Sequence, residues 1–343
     1  MLYPHFIKNK ILPLLIEENQ LYYTKFNNKV YKSTLPDLED EIELFTFPVA
    51  KKEKIFIKHP ITNKILRLGP HSLQKKDNLF VISLRKRIIV IKNNNILFFK
   101  NFNGSRPLNI SRHNNYFYWG EYFSNPERKE VKIFSLNSDK MIWEPIFTYP
   151  ENSIRHIHSI VYDNYRNGFW IQTGDKNDES ALWFTTDFKD VKPYGNLSQD
   201  SRAVKIIPTK NFLVVPTDTP QQRNFINYYY PQDNNLEQII DLPGSAFHAE
   251  ETKSYFVVST VVEPSVINKS KESTIWINNK KDKNWYLLFS AKKNFFPLSY
   301  QKYFRYAELA IVPSSNRSKF IVAFGRSLKN YEGKTLIWNT DLL

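Results

Sequence analysis

Residues 155–175, "RHIHSIVYDNYRNGFWIQTGD", decide how the chain is to be read. An apolar run opens after Arg155 and His156. It breaks at the polar "DNYRN" and resumes as "GFWIQ" before ending in Thr173-Gly174-Asp175. Short runs rich in β-branched and aromatic residues, bounded by Asn, Asp and Gly, are strands joined by a turn. The polar residues gather at two ends, with Arg155, His156 and His158 where the first strand starts and Asp175 where the second stops. In an antiparallel pair these two ends share one edge.

Laid along the chain, this unit recurs. Five copies begin near Arg106 ("RPLNISR"), Arg155, Arg202 ("RAVKII"), Ala246 ("AFHAEE") and Phe304 ("FRYAELAIV"), at spacings of 49, 47, 44 and 58 residues. Each continues with a second strand ("YFYWG", "GFWIQTG", "NFLVVP", "SYFVVST", "KFIVAFG") and a third after a longer loop ("EVKIFSL", "ALWFTTD", "NYYYPQ", "STIWIN", "TLIWNT"). A fourth strand follows in four of the five, as in "WEPIFTY" and "WYLLFSA". Four antiparallel strands at a period of roughly 40–50 residues are the signature of propeller blades. A sandwich would explain the strands but not the period. Residues 1–105 are divergent and hold about ten further strand-like runs, among them "LYYTKF", "KIFIKH", "LFVISL" and "RIIVIK", enough for two more blades. The expectation is an all-β chain forming a single β-propeller domain over residues 1–343. It has about seven four-stranded blades, with six as the alternative count. The last unit has only three strands, and the N-terminus supplies the missing one.

Composition narrows the chemistry. Hydrophobic residues at 41% and aromatics at 15% are ample for a core. With no cysteine there is neither disulfide nor thiolate metal site. The N-terminus has no small-residue cleavage site and reads as a cytoplasmic start. No apolar run reaches the length of a spanning helix, so no membrane partner is expected. The net charge of +14 points to an acidic partner, although the basic residues are scattered rather than clustered. Nucleic acid is the weakest candidate, because no compact basic stripe is present and the aromatics occupy strand positions. No cofactor is expected: nine glycines form no phosphate-binding loop. Oligomeric state is not legible.

The blade register places a common set of side chains at one edge. Strand-one starts carry Arg106, Arg155, His156, His158, Arg202, His248, Arg305 and Tyr306. The loops after strand two carry Glu121, Tyr122, Asp175, Asp218, Glu263 and Arg326. His156 and His158 are two apart and point the same way, with Arg155 opposite unless the strand end is irregular. A carboxylate in a Thr-Gly-Asp turn more commonly caps its own backbone, and a histidine in a strand is more commonly structural. His113, in a turn after a first strand, belongs at the other end and reads as structural.

"YFYWGEYFSNPERKEVKIF", "IRHIHSIVYDNYRNGFWIQTGD", "TDTPQQRNFIN" and "VVEPS" resemble motifs of bacterial propellers in the sialidase-like BNR/Asp-box superfamily. The resemblance spans roughly residues 106–343. Its Asp-box is kept only in outline, in "LNSDKMIW" ending at Trp143 and "NNKKDKNW" ending at Trp285. The resemblance implies a propeller with glycan-directed work. Arg155, Arg202, Arg305 and Arg326 offer a clamp for a sugar carboxylate, beside Glu121 or Glu263 and Tyr122 or Tyr306.

Two function classes remain. As a glycoside hydrolase or polysaccharide lyase acting on an acidic saccharide, the chain would use His156, His158, Asp175, Glu263, Glu121 and Asp218 for catalysis. Arg155, Arg202, Arg326, His248, Tyr122 and Tyr306 would bind substrate. A lyase needs only a cation and a base, and His156, His158, His248 or Tyr306 would serve. As a non-catalytic propeller it would bind a glycan or protein at the same place, because fold does not imply chemistry. No metal is assigned: two histidines at i, i+2 on a strand are a weak ligand signal.

Overall fold

The computed structural model describes the chain except for residues 59, 67, 102–106 and 296–305. Arg106 and Arg305, both expected at the site edge, lie outside the described residues.

Among the described residues the strands assemble into seven four-stranded antiparallel blades. The first is Leu12–Glu17, Gln20–Thr24, Lys29–Thr34 and Ile42–Thr46. The second is Ser72–Lys76, Leu79–Leu84, Arg87–Lys92 and Asn95–Asn101. The third is Ser111–His113, Tyr116–Gly120, Val131–Asn137 and Ile142–Tyr149. The fourth is Ile157–Asp163, Gly168–Thr173, Ala181–Thr185 and Lys192–Tyr194. The fifth is Ile207–Pro208, Leu213–Pro216, Asn224–Tyr230 and Asn235–Leu242. The sixth is Ala246–Glu251, Phe256–Val262, Glu272–Asn278 and Tyr286–Lys292. The seventh takes Ala307–Ile311, Phe320–Arg326 and Lys334–Asn339 from the C-terminal end. Its fourth strand is Phe6–Asn9, paired through Phe6↔Ile337 to Asn9↔Lys334. A short ladder, Val261↔Glu308 and Val262↔Ala307, joins the sixth and seventh blades into one eight-stranded sheet. The fold is a β-propeller.

Within a blade, burial explains the sequence pattern. Gly168–Thr173 is buried at all six positions, so a second strand reads as a continuous apolar run. Ile142–Tyr149, an outer strand, is mostly exposed or half-buried and correspondingly mixed. One expected strand run behaves otherwise. Residues 54–56 of "KIFIKH" belong to a short helix, Glu53–Phe56, and a second helix, Pro60–Leu66, follows. Among 53–58 only Ile57 is buried, while Ile55 and Phe56 face outward, so the run has no apolar face for a sheet to cover. The Glu53 carboxylate accepts the Ala50 backbone N–H across the helix start.

By internal contacts the chain divides into two compact units. One comprises Met1–Gly69, Pro220–Asn224 and Leu242–Leu343 and holds the first, sixth and seventh blades. Its core packs Ile16, Leu21 and Tyr23 against Phe320, Val322 and Ile337, and Ile275 and Leu288 against Leu309 and Trp338. The other, Pro70–Thr219 and Phe225–Asp241, holds the second to fourth blades and most of the fifth. Here Val81, Val90, Phe117 and Trp119 interlock, as do Ile133, Ile160 and Phe169, and Trp170 meets Leu213, Val215 and Tyr229. Side chains of this size contribute about 1.5–3 kcal/mol each when fully buried. Consecutive blades within a unit are thereby held by apolar contact rather than by shared strands alone.

Candidate functional site

The opening stretch forms the centre of a polar cluster in the second unit, where the third, fourth and fifth blades contribute loops. Its scaffold is the loop from Gly174 to Ser180. Gly174 has φ +93°, and a Cβ there would lie 2.4 Å from the Glu179 carbonyl, so only glycine fits. Glu179, 0% exposed, closes the loop. Its carboxylate accepts the backbone N–H of Arg155 (3.0 Å), Asp175 (3.2 Å) and Lys176 (3.0 Å). Its own carbonyl accepts the Thr173 hydroxyl at 2.8 Å. The capping role that Thr-Gly-Asp suggests for Asp175 therefore belongs to Glu179, and Asp175 is left to face the histidines.

His156 and His158 both reach that carboxylate. His156 Nε2 lies 3.5 Å and His158 Nε2 3.8 Å from Asp175 Oδ1, and the two Nε2 atoms are 3.2 Å apart. The shared direction expected from i, i+2 spacing holds, although a bulge interrupts the register between Ile157 and Ser159. The other ring nitrogens are tied to main chain, His156 Nδ1 to Phe123 O at 3.3 Å and His158 Nδ1 to Ala203 O at 2.9 Å. The Tyr122 ring lies tilted against that of His156, with centroids 4.5 Å apart. Arg155 is not turned away, because the strand begins only at Ile157. Its guanidinium lies 3.4 Å from Glu179 and 4.0 Å from Asp175.

Arg202 bridges two candidate carboxylates, with Nη2 3.1 Å from Asp175 Oδ1 and 3.3 Å from Asp218 Oδ2. Nη1 donates to the Asp175 carbonyl at 2.9 Å. Burial alone would push the Asp175 carboxyl up. The hydrogen-bonding and electrostatic contacts with His156 and His158 outweigh it and hold the group well below the usual carboxylate range. Glu121 shifts the opposite way: burial raises it, against one backbone bond from the Lys132 N–H at 2.8 Å.

The remaining candidates fall in the first unit. His248 Nε2 lies 2.9 Å and Arg326 Nη1 2.8 Å from the two oxygens of Glu308. Glu263 accepts the Ser245 hydroxyl. Tyr306 is 45% exposed, its ring 6.2 Å from Phe247. Within the second unit Arg155, His156, His158 and Arg202 gather at Asp175, and within the first His248 and Arg326 pair with Glu308. His113 stacks on Tyr162 with ring centroids 3.4 Å apart, a packing role.

Three residues that organise these groups are not legible as site residues: Arg128, Glu179 and Glu308. Arg128 pairs with Asp178 at 2.7 Å and Glu179 at 3.4 Å. A glutamate inside the apolar strand "AELAI" is the one sequence signal that singles out Glu308. Burial raises the Glu308 carboxyl, but the Arg326 charge and the His248 bond outweigh it and hold it far below normal. A group depressed in the folded state contributes stability above its unfolded value, about 4.3, and loses it as pH falls through the folded value. Glu308→Gln should therefore lower stability at neutral pH and flatten the acid limb below about pH 4.5. Urea unfolding across that limb checks this, and an acid limb identical to that of the parent would refute it.

No protein-family model matches the chain, and no curated protein matches its sequence. Solved structures match in fold. A chain of the mitotic checkpoint complex aligns with TM-score 0.58 and 8% identity over 98% of this chain and 94% of that one. The WD40 β-propeller domain of Doa1 aligns with TM-score 0.58 and 8% identity over 97% and 94%. Hydrazine synthase of Kuenenia stuttgartiensis aligns with TM-score 0.58 and 10% identity over 98% and 97%. At such identities what is shared is the β-propeller fold.

Proposed function

We propose that the protein is a binding propeller for an acidic partner, an acidic saccharide first, and that it does no chemistry on it. One observation turns this reading away from the carboxylate clamp of a sialidase-like enzyme. The arginines a sugar-carboxylate clamp would need, Arg155, Arg202 and Arg326, are each paired within the fold to Glu179, Asp175, Asp218 or Glu308. A guanidinium already neutralised gives up its internal partner before it gains a ligand carboxylate, and the usual gain of about 1.5–3 kcal/mol for a charged hydrogen bond is largely cancelled. The net charge of +14 draws acidic partners without such a clamp. WD40 neighbours are in keeping with binding, since propellers host it without catalysis.

A second reading, a sialidase-like hydrolase, is favoured by the opposite shifts of Glu121 and Asp175. One carboxyl raised and another depressed is how a general acid and a nucleophile or base are set apart, provided the two flank one bond. A glycan array at low and moderate salt, followed by product analysis on every hit, separates the two. Binding at moderate salt with no product is the expected result. A reducing sugar released by the parent chain and lost in Glu121→Gln selects the hydrolase, and an unsaturated product selects a lyase. Failure of every acidic glycan at moderate salt sinks the saccharide assignment.

A further inference from the structure

The pair of histidines is wired in a way that hydrogen bonding alone does not satisfy. A backbone carbonyl only accepts, so the contacts of His156 Nδ1 with Phe123 O and of His158 Nδ1 with Ala203 O place a hydrogen on both Nδ1 atoms. In the neutral rings each Nε2 then carries a lone pair. These two lone pairs face one another across 3.2 Å, and the Asp175 Oδ1 acceptor stands 3.5 and 3.8 Å away. Three acceptors converge on one point; Arg202 Nη2 donates to Oδ1 at 3.1 Å, and neither neutral ring offers a donor to the other. His156 and His158 are 6% and 3% exposed, so water does not separate them freely.

We propose that His156 Nε2, His158 Nε2 and Asp175 Oδ1 are the ligands of a divalent transition-metal site, with zinc as the fitting ion. Four-coordinate zinc with bonds of about 2.0–2.2 Å keeps its ligand atoms roughly 3.3–3.6 Å apart. The observed spacings of 3.2, 3.5 and 3.8 Å close onto that triangle with shifts of a few tenths of an ångström. The carbonyl contacts at Nδ1 match the way ligating histidines are held, which fixes the tautomer and aims the lone pair. Nitrogen and oxygen donors without sulfur suit zinc and its neighbours better than calcium or magnesium, which take oxygen alone.

The surroundings accommodate the charge. The ion pairs around the site link three guanidinium groups, Arg128, Arg155 and Arg202, to four carboxylates, Asp175, Asp178, Glu179 and Asp218, which leaves one carboxylate in excess. Arg202 holds the Asp175 carboxylate through Oδ1 and ties it to Asp218, which makes it the positioning residue for that ligand. The Asp175 side chain is 32% exposed, so the cluster can be reached from solvent. Three protein ligands leave a place for one further donor, unlike the four of a closed structural zinc site. Water or a donor group of a bound partner would fill it.

The test uses the full chain with no partner present, so its outcome is independent of the saccharide reading. The protein is stripped with a chelator, dialysed and titrated calorimetrically with Zn²⁺. One equivalent should bind. Histidine-selective ¹⁵N NMR should show the Nε2 resonances of two histidines, and not their Nδ1 resonances, moving on addition of zinc. This readout needs no variant and survives any folding defect in the mutants. His158→Ala should weaken binding by at least about 100-fold, more than the roughly 10–100-fold expected for Arg202→Lys, which alters an outer-shell contact. His113→Ala, remote from the ligands, should bind as the parent does. The proposal is overturned if the folded parent chain takes up no zinc. It is equally overturned if zinc moves Nδ1 rather than Nε2, or if a folded His156→Ala/His158→Ala variant binds as tightly as the parent.

Discussion

Glu179→Ala is expected to cost about 3–5 kcal/mol, the loss seen when one partner of a buried ionic network is removed. The side chain is fully buried and accepts three backbone N–H groups while pairing with Arg128 and Arg155. Alanine leaves all three donors without an acceptor and two guanidinium groups short of an anion. Against a total stability of about 5–15 kcal/mol this is a large fraction. The damage is also directional, because the loop from Gly174 to Ser180 is what presents Asp175 to the histidines. Glu179→Gln keeps the shape and an acceptor oxygen and should lose clearly less. Denaturant unfolding measures both variants, and amide exchange at 175–180 reads the loop. A loss below about 1 kcal/mol for the alanine variant would falsify the capping assignment.

What was legible follows from what periodicity encodes. The repeat of strand, turn and strand fixes blades three to seven, because second strands buried on both faces must be apolar throughout. The three-strand last unit called for a partner, and Phe6–Asn9 fills it. "KIFIKH" misleads because apolar content without alternating burial does not distinguish a strand from a short helix. At the site, His156, His158, Asp175, Arg202 and Asp218 were legible as neighbours, since the ends of paired strands share an edge. Their bonding was not. That Glu179 rather than Asp175 caps the loop depends on Gly174 turning at positive φ, and the tautomers of the histidines depend on the carbonyls of Phe123 and Ala203, which no side-chain pattern records. The pairing of Arg202 with two carboxylates also turns an expected clamp into an internal strut.

Deleting residues 1–10 should remove on the order of 5 kcal/mol, enough to unfold the seventh blade under ordinary conditions. Phe6–Asn9 makes four ladder pairs with Lys334–Asn339, and Leu2 N–H and His5 N–H donate to Leu288 O (2.8 Å) and Ile337 O (2.9 Å). At about 1 kcal/mol for each such bond, the sum reaches that figure. The strand also covers Leu336, Ile337 and Trp338, all 0% exposed, and Trp338 Nε1 donates to the Leu2 carbonyl at 3.2 Å. Without it, a buried strand becomes an open edge ready to pair with another chain, so aggregation should accompany the loss. Calorimetry and size-exclusion chromatography read both effects, and a peptide of residues 1–10 added in trans should restore part of the lost stability by refilling the edge. The same measurement bears on whether the chain is one cooperative domain, as proposed from its repeat. A single transition that moves down as a whole requires that the loss of this strand be felt by all seven blades. Two transitions, only one of them shifted, would confine the loss to the unit that contains both chain ends and end the single-domain reading. A truncated chain that melts as the full one does would show that Phe6–Asn9 closes nothing.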